Sequence, residues 1–82
     1  MKYYEIYVSG KNGFSCYVKT EKNIPNSELD EFILNAAVAN KLIDGDDAKD
    51  IFRGDGYIES IDESELNDRL GEYDGASKVV LI

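Results

Sequence analysis

Two runs rich in tyrosine and valine, Lys2–Val8 and Phe14–Lys19, flank Gly10-Lys11-Asn12-Gly13. Alternating apolar runs around such a break read as a β-hairpin, and the rest of the chain must cover whichever face the hairpin turns inward. A two-residue Asn-Gly loop would pair Val8 with Tyr17 and Ile6 with Lys19, setting apolar positions against polar ones. A three-residue loop, Lys11-Asn12-Gly13 with Gly13 left-handed, pairs Val8 with Cys16, Ile6 with Val18, Tyr7 with Tyr17 and Glu5 with Lys19; this is the predicted register. One face is then Tyr4, Ile6, Val8, Phe14, Cys16 and Val18, and the other Tyr3, Glu5, Tyr7, Tyr17 and Lys19.

Downstream, a helix is predicted from Ser27, with Asp30 as a weak form of the capping box and a core stripe of Leu29, Phe32, Ile33, Ala36, Ala37 and Ile43. Asp44-Gly45 ends it, Asp46 to Asp50 suits one more helical turn, and Ile51-Phe52-Arg53 reads as extended chain leading to a strand at Tyr57–Ile61. Asp62 with Glu65 forms a second capping box, Ile61 with Leu66 a hydrophobic staple, Leu66 and Leu70 a core-facing pair, and Gly71 a C-terminal cap. Glu72 to Ser77 supplies a turn. Val79–Ile82, apolar on both faces, favours a strand buried from both sides over an edge strand, and Asp62 to Ser77 is long enough to cross between parallel strands. The expected fold is therefore α+β: one domain over 1–82, a small mixed sheet in β-β-α-β-α-β order with an N-terminal hairpin and helices packed on it.

The charge is lopsided. Residues 1–43 balance five acids with five lysines, so the whole net charge of −8 lies in 44–82. No linker or repeat divides the two halves. A single cysteine excludes an internal disulfide, no apolar run reaches the length of a membrane span, and the N-terminus does not resemble a signal peptide; a cytoplasmic setting is the expectation.

The chemistry of catalysis is poorly represented. Histidine is absent, and Cys16, on the inward phase of its strand with no base to activate it, reads as a structural thiol; no enzyme activity and no cofactor are expected. Asp44-Gly45-Asp46-Asp47 resembles the start of a calcium loop, but Lys49 and Asp55 stand where an EF-hand needs Gly and Glu. Arg53-Gly54-Asp55 reads as a turn rather than an adhesion motif. Direct nucleic-acid binding through the tyrosine face conflicts with the net charge.

What remains is the surface. Asp46, Asp47, Asp50, Asp55, Glu63 and Asp68, with Asp62 beside them, make the acidic half a candidate for docking on a basic protein, and basic surfaces in cells are largely nucleic-acid-binding ones. The sequence reading is a non-enzymatic inhibitor of a nucleic-acid-handling protein, of the nucleic-acid-mimic type, as in phage or mobile-element anti-defence proteins. One alternative is a small oligomeric structural or regulatory module joined through Tyr3, Tyr7 and Tyr17 or through Leu34 and Val38, which point away from the predicted stripe; monomer and homodimer both remain open. The other is a cation- or small-ligand-binding domain around Asp44 to Asp50.

Overall fold

The computed structural model describes residues 1–9, 14–72 and 79–82. Strands β1 (Lys2–Val8) and β2 (Phe14–Thr20) lead into helices α1 (Asn26–Ala39) and α2 (Gly45–Phe52). Strand β3 (Gly56–Ile61), helix α3 (Glu63–Glu72) and strand β4 (Val79–Leu81) follow. The order is the expected β-β-α-β-α-β, with the first helical stretch split in two. The four strands form a mixed sheet, β3-β1-β2-β4, in which only the β2–β4 pair is parallel. β3 and β4 thus take opposite edges, and α3 crosses the sheet between them. Among the described residues, no helix is long and apolar enough to cross a membrane.

Both faces of the sheet are covered. Tyr4, Ile6, Val8, Cys16 and Val18 pack against Ile33, Leu34 and Ala37 of α1, Leu42 and Ile43 of the link, and Ala48 and Ile51 of α2. On the other face Tyr17, Tyr3, Ile61 and Val79 pack beneath Leu66 and Leu70 of α3. The partition follows the side-chain period of two along each strand.

The hairpin register differs from the expected one. Val8 pairs with Phe14, Ile6 with Cys16, Glu5 with Tyr17 and Tyr3 with Lys19, a shift of two residues. A shift of two leaves every side chain on its face, so the hydrophobic pattern admits both registers and only the connection decides between them. Beyond Val8, the Asp55 carbonyl accepts from the Ser9 amide at 3.1 Å and from its hydroxyl, which extends the pairing of β1 with β3. The proposed Lys11-Asn12-Gly13 loop lies outside the described residues, as does most of the Glu72–Ser77 turn.

Four other local expectations are corrected. Asp30 does not cap α1, which starts after Pro25 with the Glu28 amide donating to the Pro25 carbonyl. The capping box lies at α2, where the Asp47 amide donates to Asp44 Oδ1 at 2.8 Å and the Asp44 amide to Asp47 Oδ2 at 3.3 Å; Ile51 and Phe52 form the last turn of that helix rather than extended chain. Gly71 lies within α3, not at its cap. β4 is an edge strand. Its two apolar faces reflect cover from both layers, not neighbours on both sides.

The end of α1 stores a correctable strain. The Leu42 amide donates to the Ala37 carbonyl and the Lys41 amide to the Val38 carbonyl, a Schellman closure that forces Lys41 to φ 61°. A side chain there crowds its own backbone, whereas glycine does not. Lys41→Gly is expected to stabilise the protein by about 1 kcal/mol, read as a higher urea midpoint at unchanged m; an unchanged or lower midpoint would contradict it.

Candidate functional site

The acidic residues do not share one plane. Asp46 and Asp50 sit on α2 on one face of the sheet, and Glu63 and Asp68 on α3 on the other; Asp55 lies in the turn entering β3. Asp47 is a correction: at 4% exposure its carboxylate belongs to the capping box and is not part of an accessible surface. Asp44-Gly45-Asp46-Asp47 is therefore explained as a helix start. Among the described residues, no three His, Cys, Asp or Glu side chains are grouped closely enough to hold a metal ion. Arg53-Gly54-Asp55 is the expected turn: Arg53 ends α2, Gly54 takes φ 96°, and the Asp55 amide returns to the Asp50 carbonyl at 2.9 Å.

The tyrosine and leucine alternatives are largely internal. Tyr17 is fully buried under α3, and Tyr3 is half-buried with it against Leu66 and Leu70. Leu34, expected to point outward, is fully buried, and Val38 packs partly against the same core. The reason is that α2 packs on a second side of α1, where Leu34 lies beside Ile51 and Phe52, so α1 buries more than the single predicted stripe. Tyr7 remains half-exposed, stacked on Tyr57 with ring centroids 5.0 Å apart.

A polar centre beneath α3 escaped the sequence reading. Glu5, 5% exposed, accepts from Tyr17 Oη at 3.0 Å on Oε2, and from Arg69 Nη1 at 2.8 Å and Tyr57 Oη at 3.3 Å on Oε1. Arg69 also reaches Glu65 at 3.1 Å and Glu59 at 3.7 Å. Burial works against the Arg69 charge, but Glu5, Glu59 and Glu65 outweigh it and hold the guanidinium above its ordinary range. Burial and then Glu5 push the Tyr57 phenol up. The available signal was a lone carboxylate in an aromatic strand whose face α3, carrying a single base, had to cross. The arrangement is a satisfied ion pair, and its chemistry is structural: each Glu5 oxygen is occupied by donors.

Cys16 is fully buried, and its thiol is pushed up to about 12 by burial first and then by Asp47 and Glu5, so it stays protonated and unreactive near neutral pH.

The outer edge of β3 is unpaired among the described residues. Beside it runs a groove of about 300 Å³ lined by Asp30, Leu34, Ile51, Phe52, Tyr57 and Ile58. Phe52 and Tyr57 are 59% and 45% exposed. Glu59 lies on the strand, Asp55 and Asp62 at its two ends, and Glu63 just beyond. The strand lies close to its inner neighbour: a Cβ on Gly56 would run into the Tyr7 carbonyl oxygen. Compared with known proteins, the chain matches no family model, no curated protein and no solved structure.

Proposed function

We propose that this protein is a non-enzymatic binding protein that docks an acidic surface on the basic surface of a nucleic-acid-handling protein, occupying the place of phosphates and inhibiting it. On this reading it acts in the cytoplasm, as an anti-defence protein of a phage or mobile element would. The supporting observation is the net charge of −8, carried wholly by residues 44–82, where the exposed Asp46, Asp55, Glu63 and Asp68 enter no ion pair among the described residues. Unpaired carboxylates on a chain of net charge −8 project a field that steers basic partners toward it.

Asp30, Asp55, Glu59 and Asp62 lie beside, on or at the ends of β3, so the contact surface is a ridge that also carries the exposed Phe52 and Tyr57, not a flat acidic face. Affinity for the partner recovered from the source organism should fall at least about tenfold between roughly 50 and 200 mM salt. Reversal of Asp46, Asp50 and Asp55 to Lys, or of Glu63 and Asp68 to Lys, should slow association in a protein that remains folded, with a modest loss of stability because Asp46 and Glu63 lie in helical first turns. Salt-independent binding that survives both sets of reversals would sink the proposal.

A further inference from the structure

The β3 edge carries more information than its charge. The Ser9 amide donates to the Asp55 carbonyl, and Ser9 and Asp55 stand opposite each other in the same register as Tyr7 with Tyr57 and Glu5 with Glu59. In an antiparallel ladder, hydrogen-bonded and non-bonded pairs alternate, so the odd-numbered residues of β3 bond to β1. The backbone N–H and C=O groups of Gly56, Ile58 and Ser60 therefore point outward, and among the described residues no strand pairs with that edge. This is a six-residue template for another strand, in a fold whose other edge strand has three residues.

We propose that this edge accepts an extended, lysine- or arginine-bearing segment of the partner as a fifth strand; the proposal rests on the acidic-docking reading above and specifies its contact. The main-chain groups of Gly56, Ile58 and Ser60 supply the affinity common to any strand, and the side chains around them select which strand is accepted. Residues of the added strand alternate between the two faces. One set lies over the groove, where the stem of a lysine or arginine rests on Phe52 and Ile58 and its charge meets Asp30. The other set lies beside Tyr57 and Glu59, where a cation finds an exposed ring and a carboxylate that is half-exposed.

The occupant is a basic segment and not a second copy. Pairing β3 with itself would bring two sets of Asp30, Asp55, Glu59 and Asp62 into one seam between molecules of net charge −8. The same carboxylates that admit a cationic strand repel this one, and natural sheets use charge at edges for that purpose.

The test uses the full chain, labelled with 15N, and a synthetic octapeptide of alternating lysine and valine; a control peptide carries proline at every second position and cannot form a ladder. Expected are salt-sensitive binding of the first peptide, at least about tenfold slower amide exchange at Gly56, Ile58 and Ser60, and much weaker binding of the control. Ser60→Pro removes an outward amide that bonds to nothing in β1, so it should abolish peptide binding at an unchanged melting temperature. Should that variant fold poorly, Asp30→Lys should weaken binding at least about tenfold through the groove alone. Equal binding of both peptides, with amide shifts on the outer side of α3 around Asp68 and none along β3, would overturn strand addition and leave acidic docking in place. Failure of both peptides to bind at low salt would overturn both readings. Slowed exchange along β3 in a peptide-free dimer would show that a second copy is the occupant.

Discussion

Arg69→Met is expected to cost about 2–3 kcal/mol of stability, a large share of what a domain of this size possesses. Methionine keeps much of the packing of the arginine stem but removes the cation from Glu5, whose side chain is only 7% exposed. The carboxylate is then left with two tyrosine hydroxyls and no compensating charge. A fully buried pair broken in this way loses more; the estimate is lowered because Arg69 itself remains 27% exposed. The penalty arises from the stranded charge, so a second change should relieve it. Glu5→Leu in the Arg69→Met background is expected to recover part of the loss, and adding Tyr17→Phe more, because the orphaned hydroxyl goes with it. Urea titrations of the single, double and triple variants measure this directly. If Arg69→Met unfolds at the wild-type midpoint, or if the losses simply add, the ion pair does not hold α3 to the sheet.

Alkaline stability should be governed by Cys16. Its thiol titrates near 9 when exposed and is pushed up to about 12 in the fold, chiefly by burial. Below pH 9 both states keep the proton and the group contributes no pH dependence. Above pH 9 the unfolded chain loses its proton first, so unfolding gains about 1.4 kcal/mol per pH unit. By pH 12 the accumulated loss is on the order of 4 kcal/mol. Tyr57, raised by burial and Glu5, adds a loss of the same sign from about pH 10. Cys16→Ala should be less stable than wild type at pH 7 by about 1 kcal/mol, through the small cavity it leaves. It should then lose less stability than wild type as pH rises, so that the two curves cross. Parallel curves between pH 8 and 11 would show that the thiol is not the titrating group.

How far the sequence predicted this fold depends on what periodicity reports. Alternation in the hairpin identified both faces, because burial selects every second residue, but it could not distinguish registers two residues apart. The observed pairing of Val8 with Phe14 keeps the same two faces, so the side-chain pattern carried no signal for the difference. Val79–Ile82 was apolar on both faces for the same reason: periodicity reports the layers above and below a strand, not its neighbours in the sheet. The Ile61–Leu66 staple and the Asp62 cap were legible because every participant lies within five residues; the Glu65 amide donates to Asp62 Oδ1 at 2.7 Å. Only half of the expected Asp62–Glu65 box forms, because the Glu65 carboxylate accepts from Arg69 instead; the full box is made by Asp44 and Asp47, hidden in an acid-rich stretch among accidental carboxylate pairs. Leu34 was misplaced because a stripe argument assumes one packing partner, and α1 has two. Of the candidate site, the charge was readable from composition. The open edge was not, because it depends on which strand ends up outermost.

The placement of the two edges also sets the order in which the molecule can assemble. β1 and β2 meet across a short connection, whereas Tyr3 joins Ile61, and Tyr17 joins Val79, only after loops of roughly sixty residues close. The hairpin is consequently the cheapest part of the sheet to form and the template for everything after it. β3 arrives only once both helices before it have traversed one face, and β4 only once α3 has traversed the other. Substitutions within the hairpin are therefore expected to slow folding, and those in β3 and β4 to speed unfolding, in stopped-flow measurements.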